Sequence, residues 1–331
     1  MVLAQGLSEL GHNNFSLKEY WKDYLSEEFL FQKYSGEEVD AIIVSSIQLD
    51  ANKEILKMIK FQNVPRILID SSDGGSVTTG VSFANDFDFV LKCHFNKNLF
   101  VEKKFIPWQF SLTNHQIGWL ENLSLIPSNT IEINFRNVHQ IRSKGMKILE
   151  KNIPQNCKFS FSYDNYYSNS TNEAAYSDEE RHYISYTKSR CNPRFYERLC
   201  RSVLAPVFGG FFFDSSPSQL KQQLNRILVK SNIKVPQSVF LAQFDSWRLW
   251  ESAFLGLPMI HFDLDRYGAK FPVQPTNGRD YFGVDIYGKV NNIPLCDVLK
   301  DAKNVGMAGR EWARSYYKPV SIATRFLGLL C

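Results

Sequence analysis

The sequence predicts an α/β protein of two domains, each an open parallel sheet flanked by helices, facing each other across a cleft. Three observations carry that expectation. A chain of 331 residues is too long for one ordinary core and comfortable for two. Apolar residues make up 44% and charged residues 22%, the balance of a globular chain. Short apolar runs alternate with helical patterns and the alternation restarts near residue 127, as in two Rossmann-like domains.

Residues 1–126 form the expected first domain. Residues 2–10 have helical spacing, Gly11 ends the helix, and residues 14–17 are strand-like. Residues 40–46 and 65–70 are apolar runs closed by polar turns, as buried parallel strands are. Between them, Ile55, Leu56, Met58 and Ile59 fall at helical spacing within residues 50–62. Residues 87–93 are a third strand and residues 105–110 a weaker fourth. A Rossmann-like domain ordinarily opens on a strand and a glycine-rich turn ahead of its first helix. No such strand precedes residue 2, so the first domain is expected to lack its first strand.

Residues 127–316 form the expected second domain. The chain turns at residues 126–129, residues 130–135 are a strand and residues 138–151 a helix. Residues 163–182, rich in Tyr, Ser, Asn and acidic groups, read as a surface loop or insertion. A helix over 194–203 and a strand over 204–208 follow, and Ser216-Pro217 opens the next helix with a cap and an N1 proline. Asp245 or Ser246 caps a helix that Gly256 and Pro258 end, and residues 259–262 are a strand. On that helix Trp247, Trp250 and Phe254 make a buried stripe, with Arg248, Glu251 and Ser252 on another face. Pro319 breaks a helix at Tyr317, so residues 317–331 should carry a last helix (about 321–330) that returns to the first domain.

Composition narrows the function. The 26 Phe and 15 Tyr suit an aromatic-lined cleft and equally a large core. A net charge of +4, without a clustered basic aromatic surface, argues against nucleic acid but leaves room for a basic cleft. The six cysteines show neither a CxxC pair nor zinc spacing and read as reduced thiols. The first residues have no basic leader region, Glu9 interrupts their apolar run, and no stretch has the length of a membrane span. Asn169-Ser170-Thr171 fits a glycosylation sequon, a coincidence in a chain without a secretion signal. The expectation is a cytoplasmic protein that can make peripheral contact with a membrane.

Residues 244–281 hold the most informative chemistry. A carboxylate on a helix can accept both hydroxyls of a ribose, and an arginine beside a helix N-terminus can hold a diphosphate. Arg248 and Glu251 have those positions, though a surface ion pair uses the same spacing. Gly209-Gly210 follows a strand-like run, where it admits a phosphate or simply makes a tight turn. Arg194, Arg198 and Arg201 share one helix face, facing either phosphate or solvent. Arg136 and His139 follow the first strand of the second domain, at the carboxyl edge where ligands bind in such sheets.

Arg248-Leu249-Trp250-Glu251 followed by Gly256-Leu257-Pro258 resembles the R-x-x-E-(x)4-G-x-P signature of GT-B-type glycosyltransferases, exostosin-like and bacterial ones included. The resemblance covers mainly residues 190–285, and Tyr267-Gly268 with Pro272 and Pro275 looks like the loop that follows the motif in bacterial members. It implies a GT-B-like pair of domains and transfer of a sugar from a nucleotide-sugar donor, without cofactor or metal. Glu251 would bind the donor ribose, and Tyr267 joins Arg248, Gly209, Gly210 and Arg136 as donor-binding candidates. The acceptor would be a glycan, a lipid-linked molecule or a small molecule. Many retaining members carry a second glutamate eight positions earlier; here that position is Gln243, which speaks against the retaining Glu-x7-Glu scheme.

The first domain should hold the acceptor and, for an inverting reaction, a general base. Asp70 and Asp73 lie where a buried strand closes, and His94 and His115 lead out of strand-like runs, although a turn, cap or core role suits each of the four. Asp263-Leu264-Asp265 is a D-x-D triplet, which can bridge a divalent metal to phosphates, but Asp86-Phe87-Asp88 repeats it by chance. Both triplets are read as loop and strand-edge aspartates. The competing class is a non-catalytic GT-B-like protein that binds a nucleotide sugar or glycan, for which the absent first strand and Gln243 speak.

Overall fold

The computed structural model describes residues 1–16, 31–46, 63–71, 85–99, 103–133, 135, 140–161, 177, 178, 181, 193–214, 216, 218–231 and 239–331. The architecture is mixed α/β with parallel sheets. Helix α1 (Val2–Glu9) buries Leu3, Ala4 and Leu7, and Gly11 leaves it at φ +85°. Strands β1 (Phe15–Ser16) and β2 (Gln32–Lys33) make a short parallel pair. Strands β3 (Ile42–Ser45), β4 (Arg66–Asp70), β5 (Phe89–Lys92) and β6 (Phe105–Pro107) then lie side by side in chain order, all parallel.

Alternation along these strands feeds two cores. Ile67 and Leu91 point to one face, where they meet Leu3, Leu7, Trp108 and Phe326; Leu68 and Val90 point to the other, beside Val44 and Phe87. All four expected strands of this sheet are present. The expected helix over 50–62 lies outside the described residues.

Helix α2 (Asn114–Glu121) starts at a capping box in which Thr113 and Gln116 satisfy each other's backbone N–H groups. The chain continues through β7 (Thr130–Ile133), α3 (Gln140–Asn152), β8 (Lys158–Phe161), α4 (Pro193–Cys200) and β9 (Ala205–Pro206). It then runs through β10 (Phe211–Asp214), α5 (Gln219–Lys230), β11 (Val239–Ala242), α6 (Trp247–Leu255), β12 (Met259–Phe262) and β13 (Phe282–Val284). Short antiparallel β14 (Lys289–Val290) and β15 (Ile293–Pro294) follow, then α7 (Leu295–Val298), α8 (Ala302–Tyr317) and α9 (Pro319–Leu327).

Strands β9, β12 and β13 pair in parallel, as do β7 and β8. A parallel bridge between Thr130 and Ser202 joins the two groups, reinforced by Val203 N–H donating to Thr130 O at 2.8 Å. The parallel strands therefore run β8-β7-β9-β12-β13, and the order reverses between β7 and β9. Strands β10 and β11 form a separate antiparallel pair, an addition to the parallel arrangement the sequence predicts.

Three further details differ from expectation. Helix α5 begins at Gln219 behind Ser218, whose Oγ accepts from Lys221 N–H at 3.4 Å. Ser216 instead donates its N–H to Asp214 and accepts from Asn225, because the Asp214 carboxylate competes for it. Leu112, Ile117 and Leu120 belong to the large cluster of the second sheet, so α2 packs there although it precedes residue 127. Trp250 and Phe254 are buried as the stripe predicts, but Trp247 is 41% exposed, lying parallel to the Phe110 ring at 6.0 Å.

Helix α9 starts with Pro319 at its first turn. Ile322, Ala323 and Phe326 then join Leu3 and Leu7 of α1 against the first sheet. Gly6 makes this approach close, since a side chain there would overlap the Pro319 carbonyl.

Candidate functional site

In open parallel sheets a ligand crevice forms at the carboxyl ends of strands where their order reverses. Here that place lies beyond β7 and β9. Helix α3 follows β7, and Gly145 lets it press against the Phe208 ring, which any side chain at 145 would strike. Arg142, in the first turns of α3, donates from Nε to Phe208 O at 3.2 Å and lies 5.4 Å from the Phe135 ring centroid. Burial lowers the Lys144 amine to about 8. A helix start carrying these cations suits an anion. Arg136 and His139 lie outside the described residues.

Gly209 and Gly210 follow β9. Gly210 has φ +75°, and a side chain on it would overlap the Ala242 carbonyl. Gly209 donates its N–H to His261 Nε2 at 3.2 Å, and His261 Nδ1 bonds Phe262 O at 3.0 Å. His261 is therefore a neutral internal linker, its pKa lowered by burial to about 4. The packing explanation of the glycine pair thus has direct support, and the Gly209 amide is committed to a protein partner.

Helix α6 holds the motif residues. Ser246 stands at its N-cap without a side-chain cap bond, and Gly256 at φ +79° ends it, as the sequence predicts. Leu249 through Leu255 are all buried. Glu251 is 1% exposed; its Oε2 accepts from Arg248 Nη1 at 2.9 Å and its Oε1 from Tyr196 OH at 3.2 Å. The Arg248 guanidinium lies 3.9 Å from the Phe195 ring centroid. The pair is thus set in the groove between α4 and α6 rather than on an open surface. An ionised carboxylate has about four lone-pair sites, so Glu251 keeps acceptor capacity beyond these two bonds.

The turn before α6 meets the carboxyl end of the first sheet. Asp245 accepts from Trp250 Nε1 at 2.6 Å and from Phe110 N–H at 2.8 Å, and its own N–H donates to His94 Nδ1 at 3.1 Å. Burial raises the Asp245 carboxyl to about 6, opposed by His94 and by these hydrogen bonds. His94, Ser111 and Gln243, all near this contact in sequence or space, have φ between +56° and +58°. Three left-handed non-glycine residues in one neighbourhood mark stored strain of the kind that gathers at functional sites. Because Nδ1 accepts, a neutral His94 carries its proton on Nε2 and faces its surroundings as a donor.

A seam of hydrogen bonds extends this contact. Asn96 Nδ2 donates to Leu241 O at 3.0 Å and to Tyr267 O at 2.9 Å, and backbone bonds join Lys97 to Gly268 and Lys270 to Phe95. Phe244 and Phe110 enclose the His94 ring edge to face.

The remaining sequence candidates are dispersed. Asp70, at the end of β4, is buried 3.1 Å from Lys92 Nζ, so a substrate reaches it only by displacing that partner. Asp73 lies outside the described residues. His115 stands beside α1, where its neighbour Asn114 bonds Gln5 and Glu9. Tyr267 is in the aromatic core against Phe212, its hydroxyl accepting from Ile286 N–H at 3.2 Å; the apolar residues around it explain its inward position. Asp263 accepts from Arg266 N–H and Asn277, and Asp265 pairs with Lys270. Arg198 lies 3.6 Å from the buried Glu132 of β7.

Sequence reasoning missed Asp245 and His261 as site-forming groups. Asp245 stood out only as a cap, and the one further signal was an indole donor five residues on. His261 gave no signal beyond lying in an apolar strand.

Among the described residues no helix is long and apolar enough to cross a membrane. No family model matches the chain, and no curated protein matches it. Among solved structures it is similar to the crystal structure of TarM, with a TM-score of 0.44 and 13% identity over 88% of this chain and 54% of that one. It is also similar to a mutant of S. aureus TarM in complex with fondaparinux, alpha-GlcNAc-glycerol and UDP, with a TM-score of 0.39 and 13% identity over 81% of this chain and 51% of that one. The chain therefore spans about half the length of the structures it matches, and likeness at this level assigns neither family nor activity.

Proposed function

We propose that this chain is a GT-B-like glycosyltransferase that moves a sugar from a nucleotide-sugar donor to a glycan, lipid-linked or small-molecule acceptor without a metal. One observation carries the reading: the Arg248–Glu251 pair is held in the groove between α4 and α6, on the helix whose preceding turn carries Asp245, bonded to Phe110 and His94 on the first sheet's side. In this reading residues 127–316 bind the donor and residues 1–126 bind the acceptor. Glu251 accepts the ribose hydroxyls through its remaining lone pairs, and Arg248 turns from it toward the diphosphate. The basic start of α3, with Arg142, offers a second set of donors to the leaving phosphate, and Arg136 remains a donor-binding candidate from the sequence.

The test is calorimetric titration with UDP, GDP, CMP and TDP and their sugars. Glu251→Gln keeps the shape and the Tyr196 bond, and is expected to weaken nucleotide binding at least tenfold, about 1.4 kcal/mol. Arg248→Ala should weaken diphosphates far more than nucleosides. Unchanged affinity in a folded Glu251→Gln protein, or no binding of any nucleotide, would overturn the reading. Turnover should survive EDTA and Asp263→Ala.

A second reading, a nucleotide-sugar-binding protein without turnover, has its own support. Asp70 is paired with Lys92, and His94 has the donor tautomer, so neither group is poised to take a proton from an acceptor. Nucleotide binding without transfer or hydrolysis would favour it.

A further inference from the structure

Helix α5 is built inside out. Its buried contact is polar: Asn225 is buried and donates to Asp214 Oδ2 at 2.8 Å and Ser216 Oγ at 3.2 Å, and half-buried Gln222 donates to Ser216 O, with Leu228 half-buried as well. Its large apolar residues face outward, with Leu220 79%, Leu224 53% and Ile227 58% exposed. At about 100° per residue, these three side chains fall within roughly 60° of one another and form one continuous ridge. Lys221 lies about 100° to one side of that ridge and Arg226 about 120° to the other. Both are exposed. The twelve residues of the helix, QLKQQLNRILVK, contain Lys221, Arg226 and Lys230 and no carboxylate.

From this arrangement we infer that α5 is a docking face for an anionic lipid surface. An apolar ridge with cations on both flanks is the pattern that sinks into the boundary between headgroups and acyl chains. The stems of Lys221 and Arg226 are long enough to lay their charges back into the headgroup layer as the ridge enters. The charged residues, all of them cationic, select the occupant. A second copy docked ridge to ridge would bring like charges together, whereas anionic headgroups neutralise them. This proposal is independent of the activity assigned above, although a lipid-linked acceptor would be met at the same surface.

Flotation of the whole chain with vesicles tests it. Binding is expected to phosphatidylcholine vesicles containing phosphatidylglycerol, to fall steeply as salt is raised, and to be weak for phosphatidylcholine alone. The variant Leu220→Gln/Leu224→Gln/Ile227→Gln keeps helix propensity, and Lys221→Glu/Arg226→Glu reverses the flanks. Each should cut the bound fraction by on the order of tenfold or more with an unchanged melting temperature. Equal binding by wild type and both variants would overturn the proposal, as would absence of enrichment on anionic vesicles. A wild-type dimer in sedimentation velocity that the triple glutamine variant dissolves would also overturn it, in favour of a second copy.

Discussion

Helices α5 and α6 are both amphipathic in sequence, yet they sit in opposite environments. In α6 even a glutamate is buried, because Arg248 and Tyr196 satisfy it. In α5 an asparagine is buried, because Asp214 and Ser216 satisfy it, and Leu220, Leu224 and Ile227 are left outside. Helix α6 is the richer in apolar residues, six of nine against five of twelve, but that difference does not say which way the large apolar side chains of α5 point. What separates them is which polar side chains find partners inside, since a buried polar group without one is costly. The lesson is that a periodic apolar stripe identifies a helix face but not the direction in which it points.

The strongest way to break this comparison is Trp250→Ala. Trp250 is fully buried, stacks on Trp312 at 5.5 Å and anchors Asp245. The substitution should cost about 3–5 kcal/mol in urea unfolding. A loss below about 1 kcal/mol would deny α6 its place in the core.

A pH series sharpens it next. Asp245 has its carboxyl raised to about 6 by burial, so its contribution is fullest below the unfolded value near 4 and is lost as pH rises to 6. His261 has its pKa lowered by burial to about 4, so its contribution is present above 6.5 and is lost as pH falls to 4. Each amounts to about 3 kcal/mol and the two oppose each other across one window. Their joint contribution should therefore be nearly level there, whereas Asp245→Asn should make stability rise with pH by about 3 kcal/mol. A level profile in Asp245→Asn would show that the His261 imidazole is not desolvated in the native state, and a wild-type profile that rises as steeply as the variant's would show the same of the Asp245 carboxyl.

Gly210→Ala should cost about 2 kcal/mol or more, from its left-handed backbone and the overlap with Ala242 O. The smallest effect belongs to α5: Leu224→Gln should change stability by less than about 0.5 kcal/mol. A loss of several times that amount would place the ridge against protein.

The parts legible in the sequence were those with local punctuation. Residues 259–262 and the end of α6 were readable because Gly256 and Pro258 leave few alternatives, and the four strands of the first sheet were readable from short apolar runs. The β10–β11 pair, β8 and β13 were missed because their pairing depends on partners far along the chain. Trp247 was expected inside, but Phe110, more than a hundred residues away, gives it a partner at the surface. The ion pair of Arg248 and Glu251 was legible from its i,i+3 spacing, whatever its role. Asp245 was not, because its importance comes from Phe110 and His94 on the other sheet.

The packing of α9 over the first sheet has a consequence for biosynthesis. Ile67, Leu91 and Trp108 leave the ribosome early, but Ile322 and Phe326, which cover them, are more than two hundred residues behind. At roughly 5–20 residues per second, that apolar face waits on the order of ten seconds or more for its cover. The first sheet is thus the first made and the last closed. Its core is the part of this protein for which a chaperone would matter most, and loss of α9 would harm solubility more than a substitution at Arg248 or Glu251.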